Sequence, residues 1–334
     1  MDSPQIAEAV ETAMEGATPV VPDRSPMSLA AGLIAAVRPK QALKNLFVFA
    51  ALVFAGHLTD PVRGPRNFGL TLVAFLLFTM VAGSVYILND ILDVEQDRLH
   101  PTKRTRPIAS GVLSVPTAWC AFILLATLSL GASWIVDRTF GFGIVVTTYF
   151  VLQIAYCFAL KRMVLLDVFT IAAGFVLRTV AGAMIIHVHI SQWLLLCTLQ
   201  LALFLGFGKR RQELVTLGDD AGKHREILGE YSLPFLDQMI NIVAGVTIVC
   251  YSVYTIESET AKQHPHLWIT VPFVLYGVCR YLYLVYQRGW GGAPDEALRK
   301  DRMLQIAIVL WFISVMVLFV VDKAGLPLLR ISNQ

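Results

Sequence analysis

Long apolar segments recur along the whole chain and limit the folds it can adopt more than any other feature. A helix needs roughly 17–25 mainly apolar residues to cross the hydrocarbon core of a bilayer. Such segments are found at nine places, near residues 42–58, 67–90, 115–136, 140–160, 163–186, 190–208, 236–256, 267–287 and 303–322. The pattern predicts an all-α, polytopic membrane protein built as a nine-helix transmembrane bundle.

The composition favours the same class. Of the 334 residues, 56% are hydrophobic and only 15% are charged, whereas soluble domains carry about 25% charged residues. The net charge of +3 is small, so nucleic acid is not expected as a partner. The five cysteines lie within predicted spans. Their odd number and the lack of a Cys-x-x-Cys pair argue against a disulfide framework or a zinc site.

The basic residues predict the orientation of the chain, because cytoplasmic loops carry an excess of Lys and Arg. The segment through Lys44 and the connections after the second, fourth, sixth and eighth spans hold 19 of the 27 Lys and Arg residues. We expect a multi-pass protein of the bacterial inner membrane with its N-terminus in the cytoplasm. Residues 1–26 are predicted to form a disordered cytoplasmic tail and residues 27–37 a short interfacial helix.

Four polar residues at the end of the second span form the clearest chemical pattern. Their spacing places the side chains of Asn89, Asp90, Asp93 and Asp97 on one face of a helix. Close carboxylates repel one another unless a cation neutralises them, and Mg²⁺ binds carboxylates together with substrate phosphates. We predict a metal–diphosphate site at the membrane surface, with the three aspartates as metal ligands. A solvated acidic helix end is the simpler alternative.

Basic residues close to this acidic face are candidates for binding the phosphate groups. Lys103, Arg104 and Arg106 follow it directly, in a loop between two prolines. Juxtamembrane Lys and Arg also report topology or bind anionic lipids. The phosphate-binding interpretation of these three residues therefore depends on the acidic residues beside them.

The connections at residues 91–114 and 209–235 are both long and both follow an even-numbered span, which hints at an internal duplication with one catalytic loop in each half. The second contains Lys209, Arg210 and Glu213 directly after two glycines, where a backbone could approach a ligand closely. A positive-inside anchor is the alternative for these cations.

Four further residues have two interpretations each. Arg178 lies in the middle of the fifth span, where a charge is costly and usually functional. It could pair with Asp167, three turns earlier, or contact a substrate. Lys44, Tyr156 and Lys161 lie at the cytoplasmic ends of spans and are either substrate contacts or interface anchors.

The acidic motif carries a family resemblance. Its pattern, Asn89-Asp90-x-x-Asp93-x-x-x-Asp97 followed by His100-Pro101-x-Lys103-x-x-Arg106-Pro107-Ile108-Ala109-x-Gly111, resembles the first motif of the UbiA superfamily of intramembrane prenyltransferases. The resemblance covers about residues 28–322. It implies nine transmembrane helices around a central cavity, with two motif-bearing cytoplasmic loops at its mouth, and a transferase domain over residues 27–334.

Further segments are most similar to the superfamily members that transfer phosphoribosyl groups. They are Arg38-Pro39-x-Gln41-x-x-Lys44-Asn45, the run at 100–104, Ala155-Tyr156-Cys157-Phe158-x-Leu160-Lys161, Leu177-Arg178-x-x-Ala181-Gly182 and Gly208-Lys209-Arg210-x-x-Glu213-Leu214. This resemblance implies Mg²⁺-dependent transfer of a 5-phosphoribosyl group from phosphoribosyl pyrophosphate to a polyprenyl (decaprenyl) phosphate for cell-envelope precursors. A homo-oligomer is compatible with the sequence.

The second loop departs from the aromatic prenyltransferases, which usually carry a second Asp-x-x-x-Asp set there. Basic residues take that place, and the adjacent Asp219 and Asp220 do not reproduce the spacing. A basic loop suits an anionic group better than a neutral aromatic acceptor. An aromatic prenyltransferase that uses a polyprenyl diphosphate donor is the nearest alternative, and a transporter or scramblase is a more distant one.

Overall fold

The computed structural model describes residues 26–56, 58, 60–99, 103–218, 226–292 and 294–324. All regular elements within these ranges are helical. Of the sequence predictions, the tail at 1–26 lies outside the described residues except for Pro26, and so do residues 100–102 and the pair Asp219 and Asp220.

The α-helices α1 to α13 follow one another along the chain. They are Pro26–Val37, Ala50–Phe54, Gly64–Leu92, Val94–Leu99, Val115–Val136, Gly141–Phe158, Leu166–Ile185, Gln192–Leu217, Leu233–Glu257, Glu259–Gln263, Val271–Arg288, Pro294–Lys300 and Arg302–Lys323. Five 3₁₀ helices lie between them, η1 Pro39–Phe49, η2 Lys103–Thr105, η3 Leu160–Arg162, η4 Glu226–Glu230 and η5 Leu267–Thr270. The helix predicted at 27–37 is therefore present as α1.

Polar caps start several of the long helices. The Ser114 and Ser232 hydroxyls accept hydrogen bonds from the backbone amides of Thr117 and Phe235 at the starts of α5 and α9. The Asp301 carboxylate accepts one from the Leu304 amide at the start of α13. Such caps satisfy backbone donors that a helix terminus leaves without partners, so each helix begins at a defined residue.

Eight helices in the described part of the chain are long and apolar enough to cross a membrane. They correspond to eight of the nine predicted spans, and α5 begins and ends at the predicted residues 115–136. The remaining prediction, a helix near 42–58, is wrong as an α-helix, because this region forms η1 followed by the short α2.

The segment from η1 to the end of α2 is nevertheless long enough to cross the bilayer. A 3₁₀ helix rises about 2.0 Å per residue and an α-helix about 1.5 Å. The 11 residues of η1 and the five of α2 therefore extend over roughly 30 Å, which is the thickness of the hydrocarbon core. A short apolar segment achieves this length because its backbone is wound more tightly and rises faster.

Two apolar clusters meet at α7. Side chains of η1, α3 and α6 pack against its C-terminal half around Ala181, and side chains of α8, α9 and α11 pack against its N-terminal half around Ala172. At Gly182 the backbone of η1 lies so close that an added Cβ would overlap the Val48 carbonyl. The absent side chain allows η1 to pack directly against α7.

The predicted second loop is partly wrong, because α8 continues through Leu217. Lys209, Arg210 and Glu213 therefore lie on its last turns. The predicted span ended at residue 208 because the apolar residues end there. The helix continues because residues 209–217 are rich in types that favour a helix. Gly206 does not face a ligand, since an added Cβ would lie 2.7 Å from a Val168 methyl group. It allows α8 to pack closely against α7.

Candidate active site at the charged ends of the helices

Three carboxylates and three cations meet where α3 ends. We call this set the acidic cluster, and its members are Asp90, Asp93, Asp97, Arg38, Arg106 and Lys161. Its residues come from the position before η1, from α3 and α4 and the single residue between them, from the loop after η2 and from η3. The predicted convergence of the three aspartates with basic residues is present, and the charges of the two sets balance.

Arginines hold the two most buried carboxylates. The Arg38 and Arg106 guanidinium groups lie 2.5 Å and 3.1 Å from Asp90 Oδ1, and the same nitrogen of Arg106 lies 2.6 Å from Asp97 Oδ2. Asp90 is 2% exposed and Asp97 3%. A buried carboxylate without such a partner would be strongly unfavourable, so these arginines allow the acidic end of α3 to fold into the bundle.

The third carboxylate, Asp93, is more open to water and is held differently. Lys161 Nζ donates to Asp93 Oδ1 at 2.7 Å and to Asn89 Oδ1 at 3.5 Å. The Asn89 amide donates to Asp93 Oδ2 at 3.0 Å. Asn89 therefore helps to orient the Asp93 carboxylate.

Sequence reasoning assigned no role to Arg38. Its contact with Asp90 spans 52 positions, which no local pattern reveals. The sequence carries one local indication of its unusual backbone, which is Pro39, because a residue that precedes proline is disfavoured in a helix. Arg38 adopts a left-handed backbone with φ 56°, and its guanidinium lies 5.2 Å from the centre of the Tyr86 ring. Such backbone strain at a non-glycine residue is often found at functional sites.

A second charged set lies at the N-terminal end of α7 and the C-terminal end of α8. We call it the buried cluster, and it consists of Asp167, Arg210, Glu213 and Tyr231. Arg210 Nε donates to Asp167 Oδ2 at 2.6 Å, and Arg210 Nη1 donates to Glu213 Oε2 at 2.5 Å. The Arg210 side chain is 2% exposed, so in this structure it holds helices together and does not face a ligand.

Arg178 belongs to neither cluster, and its suggested pairing with Asp167 is wrong. Its Nε donates to Asn45 Oδ1 at 2.7 Å and its Nη2 to the Tyr149 hydroxyl at 2.8 Å. The guanidinium also lies over the rings of Tyr149 and Phe175. Within the described residues these contacts take the place of a carboxylate partner, because hydrogen bonds and aromatic faces both stabilise a buried guanidinium.

The remaining predicted residues lie around these clusters. Lys209 is 46% exposed, and its Nζ lies 3.8 Å from Glu213 Oε1. Tyr156 is near enough to Arg210 to interact with it electrostatically. Lys44 and Arg104 are exposed and Lys103 is half-buried. No salt bridge within the described part of the chain joins these last three to the acidic cluster.

The donor chemistry of the acidic cluster fits Mg²⁺. Carboxylate and amide oxygens of Asn89, Asp90, Asp93 and Asp97 are hard ligands of the kind that this ion prefers. In the structure, however, the carboxylates face arginine and lysine, and no group of three or more His, Cys, Asp or Glu side chains in the described ranges is arranged to hold a metal. A bound metal would therefore compete with the three cations for the same oxygens.

Comparisons with known proteins agree with the fold and the motif. Residues 44–288 match the UbiA prenyltransferase family, and the chain belongs to that family. It is 34% identical over 297 residues to the decaprenyl-phosphate phosphoribosyltransferase of Corynebacterium glutamicum, which covers 88% of this chain and 89% of the relative. It is 36% identical over 293 residues to the enzyme of the same name from Mycolicibacterium smegmatis, with 86% and 92% covered.

The fold is similar to that of a solved UbiA homolog from Archaeoglobus fulgidus bound to GPP and Mg²⁺. The TM-score is 0.66 at 17% identity, over 86% of this chain and 99% of the homolog. A structure of an A. fulgidus UbiA homolog bound to Cd²⁺ gives a TM-score of 0.61. The predicted membership of the superfamily and the predicted all-helical membrane fold are thus confirmed.

Proposed function

We propose that this protein transfers a 5-phosphoribosyl group from phosphoribosyl pyrophosphate to a polyprenyl phosphate, such as decaprenyl phosphate, with the help of Mg²⁺. The observation that carries the proposal is the acidic cluster, where three carboxylates and three cations meet at one end of the bundle. The names of the bacterial relatives support the choice of both substrates. The excess of basic residues at this end supports a reaction at the cytoplasmic face of the inner membrane.

The reaction exchanges one anionic group for another at the ribose C1 carbon. The bond from C1 to a pyrophosphate oxygen breaks, pyrophosphate leaves with the electron pair, and a lipid phosphate oxygen forms the new bond to C1. Mg²⁺ held by Asp90 and Asp93, with Asp97 and Asn89 beside them, would neutralise negative charge on the departing pyrophosphate. The lipid phosphate is already ionised, so no general base is needed. Positioning and electrostatics then supply most of the catalysis.

The three cations of the acidic cluster suit a pyrophosphate ligand. The side chains of Arg38, Arg106 and Lys161 are 27%, 26% and 15% exposed, so each one reaches both a carboxylate and water. When a pyrophosphate enters, they exchange carboxylate oxygens for phosphate oxygens, which form charge-assisted hydrogen bonds of comparable strength. The carboxylates released in this exchange become the oxygen ligands that a divalent metal needs.

The second substrate also carries a phosphate, and the end of α8 offers a site for it. Lys209 is 46% exposed there, and the basic side chain of Arg211 pairs with Asp237. A cationic helix end attracts an anionic lipid head group at the membrane surface. A neutral aromatic acceptor would gain nothing from it.

The direct test uses purified full-length protein in detergent with Mg²⁺, labelled phosphoribosyl pyrophosphate and a polyprenyl phosphate, and follows the label into the lipid phase. We expect labelling that stops when the metal is chelated and resumes when Mg²⁺ is restored. Absence of labelling, together with prenylation of 4-hydroxybenzoate from a polyprenyl diphosphate, would overturn the substrate assignment in favour of an aromatic prenyltransferase. Turnover in detergent would also exclude transport as the sole role.

A further inference from the structure

A single buried hydroxyl joins two cytoplasmic connections of the protein. The Tyr231 hydroxyl accepts a hydrogen bond from the Leu165 backbone amide at 2.7 Å and donates one to Asp167 Oδ1 at 2.7 Å. Tyr231 lies directly after η4, and Leu165 lies between η3 and α7. Tyr231 is 5% exposed, so water does not replace either bond readily. The hydroxyl therefore ties the chain that enters α9 to the corner that enters α7.

The corner held by Tyr231 has a strained backbone. Leu165 has φ 66°, a backbone region that is unfavourable for a residue with a side chain and persists only where surrounding contacts hold it. The hydrogen bond from its amide to Tyr231 is such a contact. Four residues earlier along the same corner, Lys161 reaches Asp93 of the acidic cluster. The position of Lys161 thus depends on the geometry of the corner.

The other side of the hydroxyl is anchored in the buried cluster. Asp167 is fully buried, and its second oxygen accepts a hydrogen bond from Arg210. Tyr231 therefore rests against a carboxylate that an arginine of α8 already holds. A buried and fully hydrogen-bonded network of this kind is rigid, and it transmits the position of α8 to the corner at Leu165.

We propose that Tyr231 is a positioning residue that holds Lys161 against the pyrophosphate of the donor. The proposal rests on the proposed function for the identity of that donor. Tyr231 does not touch the acidic cluster itself. It acts by fixing the corner at Leu165, from which Lys161 extends to Asp93. Burial and the hydrogen bond to Asp167 raise the pKa of Tyr231, so the hydroxyl keeps its proton throughout the neutral range.

The test compares wild-type protein with Tyr231→Phe, which removes both hydrogen bonds and leaves the ring in place. Affinity for inorganic pyrophosphate with Mg²⁺ is measured by calorimetry in detergent, beside steady-state transfer. We expect the affinity to fall and the KM for phosphoribosyl pyrophosphate to rise by about five- to tenfold, which corresponds to about 1 to 1.4 kcal/mol. The kcat should stay within about twofold, because the reacting groups are unchanged.

A double-mutant cycle with Lys161→Met tests the route of the effect. If Tyr231 acts through Lys161, Tyr231→Phe should add little once the lysine is absent, since residues that act as a unit are not additive. Leu165→Gly offers a second variant at the same corner, because glycine adopts positive φ freely and removes the strain that the Tyr231 hydrogen bond holds. In the Leu165→Gly background, Tyr231→Phe should therefore lower pyrophosphate affinity less than it does in the wild-type protein.

Tyr251→Phe is the matched control. The Tyr251 hydroxyl also makes two buried hydrogen bonds, at 2.7 Å to Thr270 and at 2.7 Å from Trp311, but it lies 18 residues into α9, towards its far end. It should lower the unfolding midpoint and leave pyrophosphate affinity unchanged.

Three results separate the two proposals. If Tyr231→Phe lowers only the unfolding midpoint, as the control does, or if its effect adds fully to that of Lys161→Met, then Tyr231 is structural and the positioning role is overturned. If wild-type protein binds pyrophosphate but transfers nothing, while Tyr231→Phe weakens that binding, the positioning role stands and the proposed reaction fails. If transfer occurs and Tyr231→Phe changes neither the pyrophosphate affinity nor the KM and kcat, the proposed reaction stands and the positioning role is overturned.

Discussion

The cations of the acidic cluster and the arginine of the buried cluster lie in similar charged settings near helix ends, yet water reaches the cations of the first set and not the arginine of the second. The cations of the acidic cluster are 15–27% exposed, whereas the Arg210 side chain is 2% exposed and Asp167 is fully buried. An ion pair at a wet surface exchanges partners at little cost, and a dry pair does not. The comparison shows why one set is suited to ligands and the other to holding the helices.

The largest expected effect is on stability and comes from breaking the dry pair. Arg210→Met leaves the fully buried Asp167 without its arginine, and loss of one partner of a buried ion pair costs about 3–5 kcal/mol. Chemical unfolding in detergent measures it. Arg38→Met is the matched change in the acidic cluster, and it should cost less than Arg210→Met, because Arg106 still neutralises Asp90. Equal losses from both changes would remove the distinction between the clusters.

The next largest effect is on turnover and comes from the wet cluster. Asp93→Asn keeps the size of the side chain and removes a charge at the proposed metal site, so Mg²⁺-dependent transfer should fall by at least about a hundredfold. The free energy of unfolding should change little, because the Asp93 side chain is 25% exposed. Glu95→Gln is the control two residues away, where the carboxylate is 78% exposed and pairs only with Arg98 among the described salt bridges. Wild-type rates in Asp93→Asn would refute the metal assignment.

A smaller effect is expected at the exposed end of α8. Lys209→Ala should raise the KM for one of the two substrates by about threefold, because a single solvated phosphate contact contributes only a fraction of a kcal/mol to about 1 kcal/mol. Stability should not change measurably. Lys262→Ala, which also breaks an exposed lysine–glutamate pair, should change neither KM. If Lys209→Ala behaves as Lys262→Ala does, Lys209 is an anchor that reports topology.

The smallest effect concerns pH and a carboxylate outside both clusters. Burial alone would raise the pKa of Asp137, but hydrogen bonds from the amides of Phe142 and Thr139 and from the Thr139 hydroxyl outweigh it, so the pKa lies below its usual value. Asp137 thus stabilises the protein above an unfolded pKa of about 3.9, and this contribution is lost as the pH falls through the lower folded value.

Unfolding midpoints of wild type and Asp137→Asn should therefore differ at pH 6 and converge as the pH falls below about 4. The comparison with the mutant cancels the titration of the acidic cluster, which both proteins share. A difference that persists unchanged at pH 3 would show that the carboxylate charge is not what stabilises this turn.

Local patterns predicted the parts of the molecule that depend on neighbouring residues. Hydrophobic length located eight long helices, and the spacing of the aspartates placed three carboxylates at one helix end. Contacts between distant residues were not predictable. Arg38 meets Asp90 across 52 positions, and Arg178 meets Asn45 across 133. The end of α8 was missed because charged residues such as Lys209 and Glu213 continue a helix as readily as apolar ones do.

The close approach of η1 to Gly182 links a position deep in the bundle to the chemistry at its surface. The same short segment carries Asn45, which binds Arg178, and it begins directly after Arg38, which binds Asp90. A methyl group at position 182 would displace the Val48 carbonyl, and η1 would shift with it. The position of the Arg38 guanidinium therefore depends on the missing side chain of another helix, and a variant at Gly182 is expected to disturb the acidic cluster without contacting it.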